Sequence, residues 1–197
     1  MVRVAVLVSG GGTNLQAILD AEHRGELPHA KVSLVLSSRP HVYALERAKL
    51  AGVPSVVVSR KNFGTAAEFD AALLAELAAH DIQLVVLAGF LSILGDSFIA
   101  AYRDRIINVH PSLIPSFCGE GFYGLRVHEA ALERGVKLTG ATVHLVNEVC
   151  DGGRILLQKA VATEEGDTPE LLQKRVMEEA EWVLLPKAVE LVAASLK

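Results

Sequence analysis

Clustered positive charge is missing from this chain. Its 19 Lys and Arg are outnumbered by 23 Asp and Glu, for a net charge of −4. No basic run stands out, so nucleic acid is a poor partner. Cysteine is scarce: only Cys118 and Cys150 occur in 197 residues. Two make no disulfide framework, and a reducing cytoplasm is the expected compartment. Long apolar runs are lacking as well. Mean hydropathy is +0.35, yet no run reaches the roughly 18 residues of a membrane span. The opening MVRVAVLVSGGG reads as a buried strand rather than a signal peptide. What abounds is apolar residues, 51% against 21% charged. That balance excludes a disordered chain and supplies a core for one domain. No linker, repeat or low-complexity stretch interrupts it, so 1–197 is read as a single domain.

Apolar runs alternate with helical patterns. VRVAVLV (2–8), KVSLVLS (31–37), 54–58, IQLVVLA (82–88) and RIINV (105–109) read as strands. Helices are predicted from about Thr13, over 42–51, over 66–80 and over 96–103. This β-α alternation predicts an α/β fold with a doubly wound, mostly parallel sheet. The second half differs. A Pro- and Gly-rich loop at 111–124 precedes a helix at 126–134. Two strand-like stretches, 138–146 and 154–162, flank the turn-rich NEVCDGG and can pair antiparallel. A long helix over 168–195 closes the chain, with Pro186 expected to kink or split it.

Three segments can carry chemistry. SGGGTN, Ser9 to Asn14, joins the first strand to the first helix. Glycines there let an anion approach helix N-terminal amides, although a plain tight turn also uses glycine. Leu15 replaces the third glycine of a dinucleotide fingerprint. Ser37, Ser38 and Arg39 stand where its acidic residue would be, and no Gly-Lys-Ser/Thr follows. A small phosphorylated metabolite therefore fits better than NAD or ATP. Asn108 and His110, in INVHPSLIP, lie one residue apart at a strand's carboxyl end. Alternation puts both side chains on one side, a hydrogen-bond donor beside a proton carrier. Asp151, in CDGG, reads equally well as a turn residue. His110, His128 and His144 make no recognised metal-ligand spacing, so no metal is expected. Ser9 lacks a hydrolase nucleophile frame, and Cys118 has no base beside it in sequence.

Together, SGGGTN, LAGFLSIL, NVHPSLIP and GATVHLVNEVCDGGRILLQ resemble the phosphoribosylglycinamide formyltransferase family, in order and over nearly the whole chain. The last two motifs alone are shared with methionyl-tRNA formyltransferases and formyltetrahydrofolate deformylases. The resemblance implies a Rossmann-like formyltransferase fold with an antiparallel C-terminal strand addition. It implies a phosphate-binding half at about 1–100 and a folate-binding, catalytic half at about 101–197. It also implies formyl transfer from 10-formyltetrahydrofolate to the amine of glycinamide ribonucleotide, in purine synthesis, and allows a homodimer. Asn108, His110 and Asp151 match the family's catalytic trio. Gly12, Thr13 and Asn14 match its substrate-phosphate loop, and Glu181 a glutamate that contacts the glycinamide substrate. Leu91, Ser92, Ile93, Leu94, Asn147, Glu148, Val149, Cys150 and Asp151, with Asn108, match the folate-holding segments.

The chain departs from the family pattern in four places. One extra residue lies between Arg175 and Pro186, and the usual Glu-His pair is Glu181-Trp182. Ala66 stands where an arginine is common, with Arg60 and Lys61 as candidate substitutes. The loop at 116–124 is longer than in some relatives and is expected to border the folate site.

Overall fold

The computed structural model describes residues 1–196. Five strands come first: β1 (Val2–Val8), β2 (Ala30–Ser37), β3 (Ser55–Val57), β4 (Leu84–Leu87) and β5 (Ile106–His110). Helices α1 (Thr13–His23), α2 (Tyr43–Leu50), α3 (Ala66–Ala79) and α4 (Asp96–Ala101) connect them. Then follow α5 (Leu125–Arg134), β6 (Leu138–Leu145), β7 (Ile155–Ala162), α6 (Pro169–Val176) and α7 (Trp182–Ser195). The seven strands form one sheet in the order β3-β2-β1-β4-β5-β6-β7. β1 to β5 pair parallel, and β6 and β7 add antiparallel.

Strand alternation divides the core into two layers. Val2, Val4, Val6 and Val8 face a layer built with α1, α2, α6 and α7. Ala5 and Leu7 face the other layer, with Phe69, Leu73 and Leu77 of α3 and Phe98 and Ile99 of α4. Because both faces are covered, β1 reads as a continuous apolar run, as parallel strands do. Each fully buried Leu or Phe here contributes about 1.5–3 kcal/mol by leaving water. Helix α3 starts at a capping box: Thr65 accepts from the Glu68 amide, and the Glu68 carboxylate accepts from the Thr65 amide. No helix of the described residues is long and apolar enough to cross a membrane.

The long terminal helix is not split at Pro186; it runs on from α6 to α7 with one widened turn. A wide π turn over Met177–Glu181 separates α6 from α7, while Pro186 lies buried inside α7. A π turn absorbs one surplus residue without unwinding the helix. It ends on Glu181.

The strand order reverses between β1 and β4. In such sheets the crevice beyond the carboxyl ends of these strands holds the ligand. The segments that emerge there are the glycine loop after β1 and residues 88–95 after β4.

Candidate active site

The glycine loop ends where α1 begins. Gly12 takes φ +73, and a Cβ there would lie 2.7 Å from the Cβ of Ala44. Only glycine fits such a position. The first intrahelical bond runs from the Gln16 amide to the Gly12 carbonyl. The amides of Thr13, Asn14 and Leu15 precede it and are free of helix partners. Thr13 is half-buried and Asn14 buried. Asn14 donates from Nδ2 to Oε2 of Glu181 at 2.6 Å. The structure thus joins two residues at opposite ends of the chain that share a proposed substrate.

Glu181 is buried, and burial holds its carboxyl above the ordinary range against the opposing pull of the Asn14 bond. As pH rises from about 4.5, the unfolded chain loses this proton before the folded one does, so stability falls with pH across that window. Glu181→Gln keeps the shape of the protonated acid. It is expected to melt at or above the parent temperature at pH 7, with the gap closing toward pH 4.5, as thermal melts across pH will show. A parent protein that gains stability relative to the variant as pH rises would refute this.

Asn108 and His110 project from β5 on the face that carries Ile106, toward the α3–α4 layer. Antiparallel pairing sets His144 of β6 directly opposite Asn108. The chain then leaves β6, with the Val146 amide bonded to the Ile106 carbonyl and Glu148 paired to Arg103 at 2.5 Å. A turn organised by Asn147, whose Oδ1 accepts from the Val149 amide, folds the chain back. Gly153 allows the return, since a Cβ there would lie 1.7 Å from the Leu145 carbonyl oxygen. At its apex is Asp151, with φ +53. Its Oδ2 is 3.5 Å from Nδ1 of His110, and its Oδ1 is 3.5 Å from Nε2 of His144 and from Nδ2 of Asn108. Asn108, His110 and Asp151 therefore meet, as the motif resemblance implies.

The ring orientations follow from their carbonyl partners. His110 donates from Nε2 to the Phe117 carbonyl at 2.8 Å, so that nitrogen carries a proton and Nδ1 faces Asp151. His144 donates from Nδ1 to the Leu145 carbonyl at 2.8 Å, and its Nε2 faces both Asn108, at 3.2 Å, and Oδ1 of Asp151, at 3.5 Å. Burial pushes the Asp151 carboxyl up. The His144 contact, the Gly119 amide and the charge of His110 together outweigh it and leave Asp151 below its ordinary value. Nearby His128, buried in α5, is pushed down to about 4 by burial and by His110. It is neutral at pH 7 and does not compete for Asp151.

The long loop holds two members of the Asn–His–Asp group. The Phe117 carbonyl holds His110, and two residues on the Gly119 amide donates to Oδ2 of Asp151 at 2.9 Å. One short segment thus orients both reactive side chains. Cys118 lies between them, and burial followed by the Asp151 charge raises its thiol pKa, so it is a poor nucleophile. Cys150 is raised by burial first as well.

Residues 88–95 are pinned at both ends. The Leu91 amide donates to Oγ of Ser9 at 2.9 Å, and the Gly95 amide to Oδ2 of Asp70 at 2.9 Å. Leu91 and Ile93 are 53% and 86% exposed, Ser92 is half-buried, and Leu94 is buried in the α3–α4 layer. Leu94 therefore offers a ligand only its backbone. Of the folate-matched turn, Val149 is exposed. Arg60 donates to the Phe63 carbonyl at 2.8 Å and lies over the Phe69 ring. The cation that touches the glycine loop is instead Arg47, through the Gly11 carbonyl.

Sequence reasoning missed His144 as a partner of Asn108, and missed the loop-holding contacts of Ser9, Asp70 and Arg47. For His144 a signal existed: pairing 138–146 against the Asn108 strand in antiparallel register sets the two residues opposite each other. For the other three, the partner is a backbone group distant in sequence, and no spacing reveals it.

A switch-point crevice with an Asn–His–Asp group at its edge defines an acyl-transfer site on a nucleotide-binding type of fold. The chain belongs to the formyl transferase family, which it matches over residues 2–189. More particularly, it is 40% identical over 190 residues to the phosphoribosylglycinamide formyltransferase of Haemophilus influenzae, covering 96% of this chain and 86% of that one. It is 43% identical over 192 residues to the human trifunctional purine biosynthetic protein adenosine-3. There the match covers 98% of this chain and only 18% of the relative, so this chain spans a small part of the trifunctional proteins. The crystal structure of glycinamide ribonucleotide transformylase 1 from Symbiobacterium toebii superposes with a TM-score of 0.93 at 43% identity, covering 99% of this chain and 89% of that one.

Proposed function

We propose that this protein transfers the formyl group of 10-formyltetrahydrofolate to the amine of glycinamide ribonucleotide. The observation that carries this reading is the meeting of an anion cradle and an Asn–His–Asp group at one sheet edge. β1 and β5 are two strand spacings apart, about 10 Å. That suits a substrate with a phosphate at one end, a sugar between and a reactive amine at the other. Gly12, Thr13 and Asn14 receive the phosphate, and Glu181 the glycinamide arm. Residues Leu91 to Leu94 and Asn147 to Asp151 hold the folate, largely through backbone groups.

The amine attacks the formyl carbon directly, and the carbonyl oxygen becomes an oxyanion in a tetrahedral intermediate. Asn108 and protonated His110 donate to that oxygen: the substrate draws an Asn108 N–H from its 3.5 Å contact with Asp151 and the His110 Nε2–H from the Phe117 carbonyl, while Nδ1 of His110 stays on Asp151. Asp151 stabilises the imidazolium and, through a water, relays the proton released by the amine. Collapse breaks the bond to the folate nitrogen, which regains a proton. Each preorganised donor of this kind is worth about 3–4 kcal/mol at the transition state.

A formate-releasing hydrolase acting on the same folate is the main competing reading, and it has no use for a phosphate cradle. Incubation with 10-formyltetrahydrofolate, with and without glycinamide ribonucleotide, separates the two by the folate absorbance. Loss of formyl-folate only when the ribonucleotide is present is the expected result. Equal loss without it would replace transfer by hydrolysis, and no turnover in either arm would leave a binding protein.

A further inference from the structure

Glycine makes the anion loop possible but does not aim it. A trans peptide unit sets its N–H opposite its C=O. Whatever holds the carbonyls of Gly10 and Gly11 therefore aims the amides of Gly11 and Gly12. Both carbonyls are held by α2. The Ala44 amide donates to the Gly10 carbonyl at 3.3 Å. Nε of Arg47 donates to the Gly11 carbonyl at 2.8 Å. The same guanidinium donates from Nη1 to Oε1 of Gln16, in the first turn of α1, at 2.9 Å. It also lies 4.9 Å from the centre of the Tyr43 ring. Arg47 is thus a fork fixed between loop and helix, behind the amides rather than in front of them.

We propose that Arg47 is a positioning residue for the substrate phosphate: it draws the Gly11 carbonyl back toward α2, so that the Gly12 amide joins those of Thr13 and Asn14 on the anion. The inference rests on the glycinamide ribonucleotide reading of the site. A lone backbone peptide of two glycines has many orientations, and its freedom must be lost on binding. The Arg47 fork removes that freedom beforehand. Its charge lies at the back of the loop and adds to the field the phosphate meets. Lysine carries the same charge but not the planar fork, so it cannot hold the Gly11 carbonyl and Gln16 together in this geometry.

The test uses Arg47→Met and Arg47→Lys in the full chain, with melting curves to confirm folding. Two readouts are needed: steady-state kinetics with both substrates, and calorimetric binding of inorganic phosphate, which requires no turnover. Arg47→Met is expected to raise the KM for glycinamide ribonucleotide and the Kd for inorganic phosphate, each by about tenfold. The kcat and the KM for formyl-folate are expected to stay within about twofold. Arg47→Lys is expected to recover only a minor part of the loss. An unchanged phosphate Kd, or equal rises in both KM values, would overturn the proposal. Full recovery by lysine would also overturn it, since charge alone would then suffice. If the parent protein transfers no formyl group, the functional reading fails, and the phosphate arm still decides the role of Arg47.

Discussion

His110→Ala is expected to lower kcat by on the order of 10²–10⁴, the range for a lost acid–base or oxyanion group. The ring is only 5% exposed, and its Nε2 is fixed on the Phe117 carbonyl. Its loss therefore removes the donor, leaves that carbonyl without a partner, and leaves the Asp151 carboxylate to the Gly119 amide, Asn108 and His144. The second effect costs about 1–3 kcal/mol of stability. A melting curve run beside the kinetics separates the two: at a temperature where the variant is fully folded, kcat must still be low. A folded His110→Ala protein with most of its activity would remove the ring from the chemistry.

Asp151→Asn is expected to cost on the order of 10²–10³ in kcat, because no charge then stabilises the imidazolium as the oxyanion forms. The fold should survive. Asn tolerates the left-handed backbone of this position about as well as Asp does. Its amide oxygen can still accept from Gly119, but one oxygen cannot also serve Asn108. Stability offers an independent check. The folded Asp151 carboxyl lies below its ordinary value of 3.8. Its contribution is therefore complete above that value and is lost as pH falls through the lower, folded one. Urea midpoints of parent and variant should converge on acidification. A gap that widens in acid would contradict the pairing, and full activity in Asp151→Asn would return the residue to a plain turn role.

Much of the fold was legible because its signals are local. β1 and β4 are apolar on both faces, which marks central parallel strands. Thr65 and Glu68 announce the start of α3 within four residues. The expected break at Pro186 is absent for an equally physical reason. Proline is a visible breaker, whereas Pro186 is accommodated inside α7, and the helix widens instead at the π turn upstream. No residue type announces a π turn.

The site divides in the same way. Asn108 and His110 were legible because a strand places alternate residues on one side, and Gly12 because a strand–helix junction at an anion site needs glycine. Asp151 was ambiguous, since Asp before two glycines is ordinary turn chemistry, and motif resemblance alone tied it to His110.

By itself, then, the sequence determined where the strands and helices run and which side chains share a strand face, since hydrophobic period and backbone sterics act over a few residues. Only the tertiary structure decided the contacts between them: Asp151 against His110 and His144, Asn14 against Glu181, Phe117 and Gly119 on His110 and Asp151, Arg47 behind the glycine loop. All but the Phe117–His110 bond join groups far apart along the chain, and several are made to a backbone carbonyl or amide that every residue possesses. Such bonds leave no mark in residue type, and they form only once sheet register and helix packing have fixed the distances.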